Sequence, residues 1–127
     1  MSLPARTTDT DLLDSLRDLI GPALRNELWL FFTDARDEPI PLAIPVEDVP
    51  MRLPAVERLG EVVVETGRMA GAAAVLLVWE RPGDAWLSDE EAEFVDAVEA
   101  AIAPDLRVRA QALSSDSGVR LLASAPA

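Results

Sequence analysis

The reactive side chains of this sequence are almost all carboxylates and guanidinium groups. Its 127 residues include 23 Asp and Glu and 11 Arg, with no His, Cys, Lys or Tyr. Zinc catalysis draws on imidazole, thiolate and carboxylate ligands around an open coordination position, and a Ser or Thr nucleophile needs a base, usually His or Lys. Without imidazole, thiolate or amine, the sequence predicts a protein that is not an enzyme and holds no metal or other cofactor. A pair of carboxylates could still do acid–base chemistry, but none of them falls in a sequence context that predicts burial. Ser114-Ser115-Asp116-Ser117-Gly118 offers oxygen ligands of a calcium-loop kind. It lacks the alternating acidic ligands and distal Glu of such loops and reads as a hairpin turn. The six glycines are scattered and make no nucleotide-binding fingerprint.

The residues of greatest interest for recognition lie between positions 79 and 91: Trp79, Arg81, Trp86 and Glu91. Ser88-Asp89-Glu90-Glu91 has the spacing of a capping box, in which Ser88 caps a helix and Glu91 reaches back to it. Trp86 sits in the loop Gly83-Asp84-Ala85-Trp86-Leu87. Trp and Arg are the residues most enriched at interaction hot spots, which makes this loop a candidate anchor. The competing reading is that Trp86 folds back with Leu87 as a hydrophobic staple for the helix. The sequence favours the staple, with Arg81 the more exposed of the two.

These residues need elements to hold them. Leu12, Leu13, Leu16, Leu19 and Ile20 share one face of a helix over 10–20, stopped by Gly21-Pro22. Leu28 to Phe32 is a continuous apolar run, as in a strand buried on both faces. Pro39 to Val46 reads as a returning strand, and its three prolines assign it to an edge. A helix starting at Pro54 and running to about Ala70 has Val56, Leu59, Val63 and Met69 inward and is loosened by Gly60 and Gly67. Ala72 to Trp79 is a second buried strand, followed by a turn at 81–84. The capped helix runs to about Ala103, with Phe94, Val95, Val98 and Ile102 inward. Leu106 to Leu113 alternates as a strand, and Val119 to Ala123 returns after a turn at 114–118. Residues 1–9 read as a loose polar leader, 10–123 as one domain and 124–127 as a frayed tail. The class is α/β (α+β), a mixed sheet flanked by helices in the order α-β-β-α-β-α-β-β.

From Glu27 to about Leu122 this order resembles the JAB/MPN domain, in particular its RadC-like branch. Phe32-Thr33-Asp34-Ala35-Arg36 and Gly71-Ala72-Ala73-Ala74-Val75-Leu76-Leu77-Val78 are similar to that family's turn after a first strand and its Gly-Ala-Ala-Ala entry into an aliphatic strand. The family follows that strand with a His-Xaa-His-Pro-Ser-Gly-Asp metal loop and a Pro-Ser-Xaa-Xaa-Asp helix start. Here Trp79-Glu80-Arg81-Pro82-Gly83-Asp84 and Leu87-Ser88-Asp89-Glu90-Glu91 stand there. The resemblance implies that Trp79 and Arg81 occupy the positions of two zinc-binding histidines and Glu91 that of a metal-binding Asp. The loop to Ser88 is one residue shorter than the family's spacing. Glu38 and Glu47 both lie near the place of the family's catalytic Glu. The resemblance thus implies a JAB/MPN-like fold with cytidine-deaminase-like layering, and a degenerate member that lacks the zinc site. Trp offers no usable lone pair and Arg is a permanent cation, so neither replaces a histidine at zinc.

A net charge of −12 repels phosphate backbones and anionic membrane surfaces, so neither nucleic acid nor membrane is an expected partner. The longest apolar run, Ala70 to Trp79, is short of the ~20 residues that span a bilayer. With no cysteine and no signal-peptide pattern, the expected location is cytoplasmic. The leading expectation is a noncatalytic interaction or scaffold domain that binds itself or another protein. The alternative is a GAF-like sensor of a small ligand, since 72–102 also resembles the last part of a GAF domain; the strands after residue 106 weigh against it.

Overall fold

In a computed structural model that describes residues 9–124, seven consecutive buried residues, Ala74–Glu80, form the middle strand β3. Burial on both faces explains their unbroken aliphatic character. β1 (Glu27–Thr33) lies antiparallel on one side of β3, and β4 (Arg107–Ser115) lies parallel on the other. Outside them run β2 (Pro39–Glu47) and β5 (Gly118–Ser124), giving the order β2-β1-β3-β4-β5. The proline-bearing strand is at an edge, where a missing N–H donor breaks no ladder.

Each face of the sheet has its own core. α2 (Val56–Ala70) and α3 (Asp89–Ile102) cover one face, placing Leu59, Val63, Phe94 and Val98 against Leu30, Leu77 and Trp79. α1 (Asp9–Leu19) covers the other with Leu12 and Leu16 on Phe31, Leu76, Val78 and Ala112. The described residues therefore form a mixed α+β domain of three α-helices and a five-stranded mixed sheet. No helix among the described residues is long and apolar enough to cross a membrane.

Several sequence expectations change. Met69 is 82% exposed rather than inward, because the buried face of α2 is the one carrying Leu59, Gly60, Val63 and Gly67, and Met69 lies off it. Gly60 and Gly67 are close-contact positions: a Cβ at Gly67 would stand 2.8 Å from Leu106 Cδ2, and one at Gly60 3.1 Å from Ala101 Cβ. Pro54 lies in a 3-10 turn, Leu53–Ala55, that precedes α2. β4 does not alternate throughout. Val75 pairs with Val108 but Leu76 with Ala110, so Arg109 is an extra residue in a bulge. Ser114 and Ser115 are buried in β4, leaving only Asp116 and Ser117 as the turn. Asp9 begins α1 and Ser124 ends β5, so neither belongs to a loose end; the rest of the expected leader and tail, 1–8 and 125–127, lies outside the described residues.

Candidate functional site

The end of β3 and the start of α3 bring together three of the four residues singled out by sequence. Ser88 caps α3 as expected: its Oγ accepts from Glu91 N at 3.1 Å, and Glu91 Oε1 accepts from Ser88 N at 2.9 Å. The second carboxylate oxygen, Oε2, lies 2.9 Å from Arg81 Nε. That approach is off the N–H direction, so it is a charge contact more than an aligned hydrogen bond. Both side chains are mostly buried, at 17% and 21% exposure, where such a pair is screened less than on the open surface.

Arg81 also braces the loop it begins. Its Nη1 donates to Asp84 O at 2.7 Å and its Nη2 makes a longer contact to Trp86 O at 3.4 Å. Gly83 adopts a φ of +119°, which an L side chain would strain, and its carbonyl accepts from Asp116 N at 3.1 Å. Arg120 on β5 donates through Nε to Ala85 O, and its guanidinium carbon lies 4.8 Å from the centre of the Trp86 ring. The loop is thus tied to β3, α3 and the β4–β5 hairpin.

Trp86 stands at its crest, 73% exposed. The staple expectation is corrected: Leu87 packs against the core, while Trp86 points outward and stacks on Arg120. Arg81 is corrected in the opposite sense, from an exposed candidate to the loop's inner brace. Sequence reasoning missed Arg120, because a contact across 34 positions leaves no local pattern.

Trp79 does not join the surface cluster. It lies in the core at 2% exposure, edge-on to Phe94 with ring centroids 5.2 Å apart. Its indole N–H donates to Gln111 Oε1 at 2.8 Å, and Gln111 Nε2 donates to Val95 O at 3.1 Å. An open cleft of about 340 Å³ lies beside the ion pair, bounded by Arg81, Glu91, Asn26 and the segment Asp48–Met51. Of the two glutamates considered as catalytic counterparts, neither Glu38 nor Glu47 lines this cleft.

Two carboxylates that sequence placed outside the core are buried. Glu27 is 7% and Glu80 6% exposed, both on the α1 face of the sheet. Among the described residues, no group of three or more Asp or Glu side chains is arranged to hold a metal ion. No protein-family model matches the sequence, and comparison with curated proteins gives no match.

Proposed function

We propose that this chain is a noncatalytic protein-interaction domain that docks through the loop carrying Trp86. The observation that carries this reading is an indole 73% exposed yet held from below by Arg120, on a loop braced by Arg81. A large aromatic group held in place loses little conformational freedom on binding, which is why Trp and Arg dominate interaction hot spots. The occupant is a protein surface with an apolar recess; the surrounding Asp84, Asp89 and Glu90, all exposed, favour a neutral or basic rim on the partner.

The JAB/MPN-like reading belongs with this proposal as an account of origin. It is supported by the pairing of Arg81 and Glu91 at the end of the middle strand, where the resemblance puts a metal-binding histidine and aspartate. One helix on one face of the sheet and two on the other support the cytidine-deaminase-like layering. On this reading, the Arg81–Glu91 pair stands at two of the family's metal-binding positions, while Trp79, at the third, is buried in the core apart from it.

The test compares wild type, Trp86→Ala and Met69→Ala in sedimentation and in affinity capture from the native host. Met69 is the control, an exposed apolar residue at the opposite end of β3. A partner or self-association retained by wild type and Met69→Ala, and weakened at least about thirtyfold (~2 kcal/mol) by Trp86→Ala, is the expected result. A monomer with no partner at physiological concentration, or a partner indifferent to Trp86, overturns the reading.

A further inference from the structure

On the face of the sheet opposite Trp79, three glutamates stand side by side. Glu27 on β1 is the register partner of Glu47 on β2 and of Glu80 on β3, so all three point to the α1 side. Trp29, two residues along β1, shares that side. Together they line a hollow of about 300 Å³, with Ile20, Leu24 and Pro45 as its aliphatic wall.

The carboxylates are not equivalent. Glu80 is fully engaged: Oε2 accepts from Leu24 N at 2.7 Å and Arg25 N at 3.3 Å, and Oε1 accepts from Trp29 Nε1 at 3.0 Å. It holds the linker after α1 and sets the orientation of the indole. Glu27 has a side chain only 5% exposed and, among the described residues, no hydrogen bond to its carboxylate. Among the described residues its ion-pair contact is Arg25 Nη1 at 3.7 Å, beyond hydrogen-bond distance, on a side chain 66% exposed. Glu27 is not among the residues with a fully buried, unpartnered side-chain oxygen, so its carboxylate head opens into the hollow, where a cation can reach it.

We propose that this hollow binds an organic cation with an aliphatic stem, a guanidinium or primary ammonium head seated on Glu27. Three carboxylates against one arginine leave the hollow two charges negative, within a molecule of net charge −12. Neighbouring strands lie ~4.8 Å apart, which separates Glu47 from Glu80 by about 10 Å, too far to share one metal ion at ~2.5 Å ligand distances. A planar head several ångströms across, with donors on several edges, suits that spacing. Trp29 supplies a ring for the cation, while Leu24, Ile20 and Pro45 cover the stem. Arg25 is a tethered guanidinium at the mouth, which the incoming head displaces.

The site is independent of the Trp86 surface, and its test separates the two. The indole N–H signals of the three tryptophans are followed by NMR while agmatine is added, and in parallel a blocked tripeptide with a central arginine. The expected result is a saturating shift of the Trp29 signal, with Trp79 and Trp86 unmoved and Trp86→Ala behaving as wild type. Glu27→Gln weakens binding at least about tenfold, the loss of one charge-assisted contact. Arg25→Ala tightens it about threefold or more by removing the competitor. Should Glu27→Gln not fold, the exposed Glu47→Gln replaces it, with weaker binding again expected. Tighter binding of the peptide assigns the head group to a protein side chain, and tighter binding of agmatine assigns it to a free amine. No saturating shift with either probe, an equal response in both Glu variants and wild type, or the same shift from magnesium chloride at matched ionic strength overturns the proposal.

Discussion

Gln111 shows how one polar residue is accommodated within an aliphatic core. Its amide spans two elements, accepting from Trp79 on β3 and donating to Val95 O on α3, with 1% of the residue exposed. Among the described residues Gln111 is the acceptor for the Trp79 N–H, so Gln111→Leu leaves a buried donor unmatched at nearly constant side-chain volume. Urea unfolding should show a loss of about 1–3 kcal/mol. Combined with Trp79→Phe, the two losses should be non-additive, with a coupling energy of at least ~1 kcal/mol. Additive losses would mean that the bond contributes little. The same economy governs Arg81, whose charge contact with Glu91 lies in a mostly buried setting and also braces the Trp86 loop.

At the scale of elements, the bulge in β4 decides which residues meet which helix. Because Arg109 is supernumerary, Val108 faces α2 and α3, Ala110 faces α1, and Gln111 and Leu113 return to the α2–α3 side. The small residues Ala110 and Ala112 then lie on the face that α1 covers, 1% and 0% exposed, where Leu12 and Leu16 pack. Ala112→Leu should overpack this layer and lower stability by about 1–3 kcal/mol in thermal or urea unfolding. A neutral outcome would show that α1 moves aside without cost. The opposite face approaches closely too, since Gly60 lets α2 near Ala101 of α3.

Over the whole molecule, charge is the term most open to the solvent. A net −12 on 127 residues opposes compaction by self-repulsion, and the Arg17–Asp14 and Arg68–Glu65 ion pairs are exposed local i,i+3 contacts of small value. Raising sodium chloride from about 10 mM to 300 mM shortens the Debye length from ~30 Å to ~6 Å. The melting temperature should therefore rise by a few degrees, the equivalent of about 1 kcal/mol. A fall with salt would show that favourable pairs outweigh the repulsion. The two expected binding surfaces lie on opposite faces of the sheet: the Trp86 loop beside α3, and the Glu27 hollow on the α1 side.

What the sequence determined by itself is what depends on local pattern. Phe94, Val95, Val98 and Ile102 were legible as the inner face of α3 from their spacing, and Ser88 with Glu91 as its cap, because both are interactions within a turn or two of one helix. The strand prolines marked β2 as an edge for a similarly local reason, the lost N–H. Tertiary structure alone decided the rest. Trp86 faces solvent because Arg120, from a strand 34 residues later, comes beneath it, and Leu87 takes the place in the core. Glu27 and Glu80 are buried because strand register sets them side by side under the linker that follows α1. Such pairings are fixed by which strands become neighbours, a choice made by the summed burial of the whole core that no window of sequence contains.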